Sequence, residues 1–187
     1  IGARPDGTNW YSGVLDEVAI YNVALSLVNI QAHYVAGYGN HGDTLAALNQ
    51  PVPVILDSDL TTDVDDVMDI VVMCGLAKLG QVTPLAVITC TDNLYSAPCA
   101  DAILDYYGYP SVPVGAWQGA GPSGSSAYTL SVRNRFKAGL TRANYSSSLT
   151  VYRTVLAASA NDSVVIVMGG FAECLVELMD SPADGIS

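Results

Sequence analysis

Basic residues are scarce in this sequence. Its 187 residues include 7 Lys and Arg against 18 Asp and Glu, so the formal net charge at pH 7 is -11. A protein that binds nucleic acid or an anionic membrane needs a basic surface to meet the phosphates. The composition therefore argues against nucleic-acid partners and favours a bound cation or a neutral or cationic small molecule.

Long apolar runs and paired cysteines are also missing. No run approaches the about 20 apolar residues of a membrane span, and the first residues lack the pattern of a signal peptide. The four cysteines have no CxxC spacing, so a zinc site is not expected. Cys90 and Cys99 flank a predicted loop, where either a disulfide or two small buried thiols would fit.

The chain changes character near residue 40. Residues 1–39 contain a turn at Pro5, a predicted strand at 13–21 and a predicted helix at 27–35. Residues 40–52 contain turn-forming Gly, Asn and Pro and are predicted to form a linker. The predicted organisation is therefore a short first segment, a linker, and one larger domain over residues 53–187.

Apolar strands alternate with helical stretches from residue 52 onward, and apolar residues make up 50% of the whole chain. This alternation is typical of βαβ units and of a parallel sheet. The predicted fold class is α/β, an open, mainly parallel Rossmann-like sheet with flanking helices. The predicted strands are 52–56, 82–89, 112–116 and 163–168, and the predicted helices are 64–79, 97–107, 149–159 and 171–180, with a loop at 119–126.

Five aspartates lie within ten residues directly after the first predicted strand: Asp57, Asp59, Asp63, Asp65 and Asp66. Carboxylates this close repel one another, since two like charges 4 Å apart cost about 1 kcal/mol even in bulk water. An oxygen-only donor set at a strand-to-helix corner favours a hard cation, calcium or magnesium. Helix capping is an alternative for Asp63 and Asp65, but it leaves Asp57 and Asp59 unexplained.

Two known aspartate motifs account for this segment only in part. An EF-hand loop requires Gly at its sixth position and Glu at its twelfth, where this chain has Thr62 and Met68. The D-x-D-x-T motif of haloacid-dehalogenase-like phosphatases matches Asp57, Asp59 and Thr61, and would make Asp57 a nucleophile with magnesium as cofactor. That motif gives no role to the three aspartates that follow.

A third pattern matches more of the chain. Residues 54–66 contain D-x-D-x-x-x-D-x-D-D after an apolar strand and before an apolar helix. Together with segments 85–93, 101–108, 112–115, 152–157 and 164–182 in the same order, this pattern resembles the N-terminal half of the inosine-uridine-preferring nucleoside hydrolases. The resemblance implies calcium-dependent hydrolysis of the N-glycosidic bond of ribonucleosides, with release of base and ribose.

The resemblance implies three ligands for Ca2+. They are Asp59, which would also be the general base, Asp66, and the main-chain carbonyl of Ala172. Two positions near them depart from the family pattern: Thr61 stands where a glycine is usual, and Ala172-Glu173 replaces a Thr-Asn pair. A main-chain carbonyl is still available at Ala172, so the implied ligand set is kept.

The same resemblance implies the groups that hold the substrate. Asp65 would accept a ribose hydroxyl, and Asn93 would also contact the sugar. Asp57 and Asp63 are expected to support the site, with helix capping as the alternative. The family's late Asp ligand and its nearby His lie beyond the part that this chain matches, so a further C-terminal segment or a second copy is expected to complete the site.

Residues 1–39 carry a separate resemblance. Gly13-x-x-Asp16-Glu17-Val and its flanks are similar to the last strands of a laminin-G-like or concanavalin-type jelly roll, with a solvent-facing edge strand as the alternative. Only the end of such a domain is present, so sugar binding by this segment is not expected. Modules of this kind imply a secreted, periplasmic or cell-surface protein. The alternative to a ribohydrolase is therefore a non-catalytic secreted module that keeps the fold and the calcium site.

Overall fold

The computed structural model describes residues 50–124 and 126–182. The chain divides into two units, residues 1–49 and 50–187, and the described residues all lie in the second unit. The predicted jelly-roll segment lies outside the described residues. Among the residues that are described, no helix combines the length and hydropathy needed to cross a bilayer.

Strands and helices alternate along the second unit. The strands are β1 (Val52–Ser58), β2 (Val82–Thr89), β3 (Val114–Ala116) and β4 (Val165–Met168). The helices are α1 (Asp65–Lys78), α2 (Ser96–Tyr107), α3 (Ala127–Phe136), α4 (Ser148–Ala157) and α5 (Glu173–Asp180), with a short 3-10 turn at Arg142–Asn144. The strands and helices predicted between residues 52 and 180 are confirmed, and α3 is an additional helix that was not predicted.

The four strands form one parallel sheet in the order β3-β2-β1-β4. β1 is central: its residues pair with β2 from Val52 to Ser58 and with β4 from Val54 to Asp57. Parallel strands in this order bring their carboxyl ends to a single edge of the sheet. The predicted α/β class with a parallel Rossmann-like sheet is therefore confirmed.

Alternate residues of β1 and β2 supply two separate apolar clusters, because successive side chains of a strand point to opposite faces. Leu56 and Val87 pack with α1 and α2 on one face, together with Cys99. On the other face, Ile55 packs with α4 and α5, together with Cys90. All four cysteines are buried free thiols, so the buried-thiol alternative is confirmed for Cys90 and Cys99 and the disulfide alternative is wrong.

Helix α3 was missed because its sequence lacks an apolar stripe. Only Thr129 of its residues is buried. A local contact starts the helix instead: the Ser126 hydroxyl accepts a hydrogen bond from the Thr129 amide, as an N-cap does. A hydrophobic pattern could not have predicted a helix whose main stabilisation is its cap and its packing on α2.

Gly115 marks the closest approach between β3 and α4. A Cβ at this position would lie 2.7 Å from Ile88 Cδ1, 3.1 Å from Val151 Cβ and 3.2 Å from Ser148 Cα. The neighbours that would have to move are a packed core side chain and the backbone at the start of α4. Only glycine therefore lets α4 pack this close to the sheet.

We predict that Gly115→Ala lowers the free energy of unfolding by about 1–3 kcal/mol, because overpacking forces neighbouring side chains out of their preferred rotamers. Gly75→Ala is the matched control, since Gly75 lies inside α1 and a Cβ added there would meet nothing within 4 Å. The control should raise stability by up to about 1 kcal/mol through helix propensity. Urea unfolding of both variants checks this, and equal stability changes would contradict the packing explanation.

Candidate metal and substrate site at the carboxyl edge of the sheet

The chain continues the sheet pairing for one or two residues past the strand ends. The Cys90 amide donates a hydrogen bond to the Ser58 carbonyl at 2.9 Å, and the Gly169 amide donates to the Asp57 carbonyl at 2.8 Å. The residues that follow β2 and β4 are thereby held against the end of β1. The aspartate-rich turn between β1 and α1 begins at this point.

Asp66 closes the β1–α1 turn with its side chain. Its Oδ1 accepts hydrogen bonds from the Ser58 hydroxyl at 2.7 Å and the Asp59 amide at 3.3 Å, and its Oδ2 accepts one from the Leu60 amide at 3.1 Å. Burial raises the pKa of this carboxyl to about 6; the Ser58 hydrogen bond opposes the rise and the Asp59 charge adds to it. The anionic form of Asp66 is therefore costly unless a cation lies nearby.

Three carboxylates of the turn lie close enough to share one ion. One oxygen each from Asp63, Asp65 and Asp66 lies within 4.8 Å of the others, with Asp66 buried and the other two exposed. Calcium binds oxygen at about 2.3–2.6 Å, so two of its ligands can be up to about 5 Å apart. The geometry and the donor chemistry both fit a hard cation held by this acidic trio, Asp63, Asp65 and Asp66.

Asp59 is fixed by a local turn and does not belong to the acidic trio. Its Oδ1 accepts hydrogen bonds from the Thr61 hydroxyl at 2.7 Å and the Thr61 amide at 3.2 Å. The positive φ in this turn falls on Leu60, at 44°, and not on Thr61, so position 61 does not require glycine. Asp59 is half-buried, with one carboxylate oxygen oriented by Thr61.

Gly170 lets the segment after β4 approach Asp59 closely. A Cβ on Gly170 would lie 2.6 Å from the Asp59 amide nitrogen and 2.8 Å from the Ser58 carbonyl carbon. Backbone atoms cannot move aside cheaply, so a side chain here would displace the whole β1–α1 turn. The conformation of Asp59 therefore depends on glycine at position 170.

Asn93 lies in the loop after β2 and uses both ends of its amide. Its Nδ2 donates to the Gly124 carbonyl at 3.2 Å, and its Oδ1 accepts from the Tyr95 amide at 2.8 Å. Both bonds hold the wall of a cavity of about 450 Å³, which Asn93, Tyr95, Gly124 and Leu130 help to line. Gly124 also lies against Thr61, because a Cβ on it would be 2.5 Å from the Thr61 Cβ.

Ala172 lines a different cavity, of about 420 Å³, with Trp117, Glu173 and Glu177. Its carbonyl accepts a hydrogen bond from the Val176 amide at 2.9 Å as α5 begins, which orients it along that helix. The described residues thus bring Asp63, Asp65 and Asp66 together. They place Asn93 and Ala172 in cavities that share no lining residue.

Asp57 points away from the acidic trio, toward α4 and α5. It is fully buried, and its Oδ2 accepts a hydrogen bond from the Tyr152 hydroxyl at 2.6 Å. Burial raises the pKa of this carboxyl to about 7; the Tyr152 hydrogen bond opposes the rise, and the Asp59 and Glu173 charges add to it. An oxygen of Asp57 lies within 4.8 Å of the sulfurs of Cys90 and Cys174.

Sequence reasoning missed this grouping of Asp57 with two cysteines. Their positions in the sequence were the usable signal: Cys90 follows β2 directly, and Cys174 lies in the first turn of α5, the helix that follows β4. Both are therefore at the same edge of the sheet as Asp57, although they are far apart in the chain.

Comparisons with known proteins find similarity in fold and none in sequence family. No protein-family model matches the sequence, and no curated protein matches it. Two solved structures are similar in fold: the effector protein XOO4466, and the type III effector protein XopQ in complex with adenosine diphosphate ribose. Each is 16% identical with a TM-score of 0.48, and they cover 76% and 77% of this chain. The chain spans about two fifths of the length of each, 41% and 40%, and at this similarity the two structures assign no family to it.

Proposed function

We propose that this chain carries the metal-binding and ribose-binding part of a calcium-dependent nucleoside N-ribohydrolase. The observation that carries the proposal is the acidic trio at the carboxyl edge of the sheet, where oxygens of Asp63, Asp65 and Asp66 lie within 4.8 Å of one another. An open parallel sheet binds its ligands at this edge. The order of acidic residues along the β1–α1 turn supports a nucleoside as the substrate, through the family resemblance.

Calcium is the cation that suits these donors. The trio offers only carboxylate oxygens, which hard cations prefer, and calcium accepts six to eight of them in flexible geometry. Asp66 would be the buried ligand, and Asp63 and Asp65 would close the site from the solvent side. When bound, calcium would supply positive charge and a fixed orientation for the reacting water.

Asp59 is proposed as the general base. A base must be held in one orientation to take a proton from water, and the two hydrogen bonds from Thr61 hold one oxygen of Asp59. The Gly170 segment limits movement of the Asp59 backbone. Asp65, an exposed member of the trio, is also proposed to accept a hydrogen bond from a ribose hydroxyl.

The cavity beside Asn93 is proposed to receive the nucleoside. Its volume of about 450 Å³ is in the range of small-molecule sites, and it combines apolar Leu130 with the polar Asn93 loop. Contact between Gly124 and Thr61 joins the wall of this cavity to the turn that carries Asp59. The purine or pyrimidine would lie on the apolar side, with the sugar toward Asn93.

Further ligands are proposed to come from another segment or from a second copy of the chain. β4 pairs only with β1 in the described part of the sheet, so its outer edge keeps unpaired backbone groups. Val165, Val167 and Met168 on this strand are 43%, 44% and 49% exposed. An additional strand on β4 would cover these side chains and bring its own carboxyl end to the site edge.

A non-catalytic calcium-binding module is the second candidate. Both oxygens of Asp66 and both ends of the Asn93 amide already make hydrogen bonds within the protein, as expected if these residues only stabilise loops.

A magnesium-dependent phosphatase is a more distant alternative. The nucleophile of such an enzyme would be the Asp57 carboxylate, and the full burial of Asp57 disfavours that role. Secretion remains a proposal that rests on the jelly-roll resemblance.

We predict that the protein binds calcium and that Asp66→Asn abolishes binding. The substitution keeps the shape of the side chain and removes the buried negative charge of the trio. Asp162→Asn is the matched control, because Asp162 is exposed with φ 56°, a conformation that asparagine also adopts. Titration calorimetry checks this, and equal calcium affinities for the two variants would contradict the assignment of the trio.

We predict that the full protein with calcium releases ribose from nucleosides, and that Asp59→Asn lowers kcat by about 10²–10⁴-fold, the usual contribution of a general base. A reducing-sugar assay measures ribose, and calcium titration of the variant shows whether its metal site is intact. Activity retained in Asp59→Asn would overturn its role as base. Calcium binding without ribose release would favour the non-catalytic module, and magnesium-dependent phosphate release would favour the phosphatase.

A further inference from the structure

A second group of metal-ligand side chains lies on the opposite face of β1 from the acidic trio. It consists of Asp57, Cys90 and Cys174, all fully buried, with one donor atom from each within 4.8 Å of the others. They come from the end of β1, the residue after β2 and the first turn of α5. Three separate elements thus converge on one point of the interior.

An unsatisfied oxygen of Asp57 points to an occupant at this position. Asp57 Oδ2 accepts the Tyr152 hydroxyl at 2.6 Å, but Oδ1 has no hydrogen-bond partner among the described residues. A buried carboxylate oxygen without a partner costs free energy, and such atoms in folded proteins normally contact an ion or an ordered water. Tyr152 therefore fixes the carboxylate and leaves one oxygen available.

One of the two sulfur atoms, that of Cys90, is held by the backbone of α5. The Cys174 amide donates a hydrogen bond to Cys90 Sγ at 3.0 Å, which fixes the position of this sulfur. Tyr152 provides the corresponding outer contact for Asp57. Outer hydrogen bonds of this kind are what orient the ligands of protein metal sites.

We propose that Asp57, Cys90 and Cys174 bind a thiophilic divalent ion of the zinc class. Two sulfurs and one carboxylate select a softer metal than calcium or magnesium, which prefer oxygen alone. Zinc–sulfur bonds of about 2.3 Å place donor atoms nearly 4 Å apart, so the three side chains need to close by only about 1 Å. Each thiol releases its proton to solvent on binding.

The experiment is a titration of the full, reduced protein with Co2+ alone, followed by Zn2+ alone. We expect one equivalent of Co2+ to produce the near-ultraviolet band of a thiolate–cobalt bond, Zn2+ to remove that band, and either metal to raise the Tm. Cys174→Ala should abolish the band. Cys99→Ala is the matched control, because Cys99 is equally buried but belongs to the other apolar cluster, and it should keep the band.

Asp66→Asn separates this site from the proposed calcium site. That variant should lose calcium binding and keep the cobalt band. The calcium titration and the cobalt band therefore test the two proposed sites separately. Absence of the band in the reduced wild-type protein would overturn the zinc-class site, even if Cys174→Ala failed to fold. A band that survives in Cys174→Ala would overturn it too, as would a Cys90–Cys174 disulfide with no metal binding after reduction.

Discussion

The burial of the end of β1 is the constraint on which the rest of the structure depends. β1 pairs with a strand on each side and is covered by helices on both faces, yet it ends in Asp57 and Ser58, both fully buried. Polar groups in such a place need partners supplied by other elements. Tyr152 from α4 serves Asp57, and Asp66 from α1 serves Ser58. These two contacts join the helices of opposite faces to the same strand end.

The burial of Asp57 makes the stability of the fold depend on pH when no cation is bound. The pKa of Asp57 is raised by burial from 3.8 to about 7, so the folded protein holds its proton more tightly than the unfolded chain does. The stability associated with that proton is fully present below about pH 4 and is lost as the pH rises through 7. A cation bound beside the carboxylate would offset this loss at neutral pH, because it stabilises the anionic form.

The sequence predicted the architecture well because apolar runs and turn residues determine it. β1, β2, α1 and α2 were expected within a few residues of where they lie, and the aspartates were expected at the carboxyl edge. Helix α3 was not predictable from hydrophobic spacing, since one of its residues alone is buried. The grouping of Asp57 with Cys90 and Cys174 depends on which strands are neighbours, and no local pattern contains that information.

The pleat of β1 explains why one run of aspartates serves two different environments. Successive residues of a strand face opposite sides, so Asp57 projects to α4 and α5 while Ser58 projects to α1 and Asp66. Asp59 lies beyond the strand, where hydrogen bonds to Thr61 replace the sheet pattern. Asp57 and Asp59 therefore have different surroundings although they are only two residues apart.

The segment from Gly169 to Cys174 supports both environments at once. The Gly169 amide bonds to the Asp57 carbonyl, Gly170 packs on the Asp59 backbone, and the Cys174 amide bonds to Cys90 Sγ. Within six consecutive residues, the chain thus contacts the end of β1, the turn that carries Asp59, and Cys90. Because this short segment has little freedom to adjust one contact alone, the positions of Asp59 and of the buried thiols depend on the same backbone. The loop after β4 therefore links the position of Asp59 to that of the buried thiols.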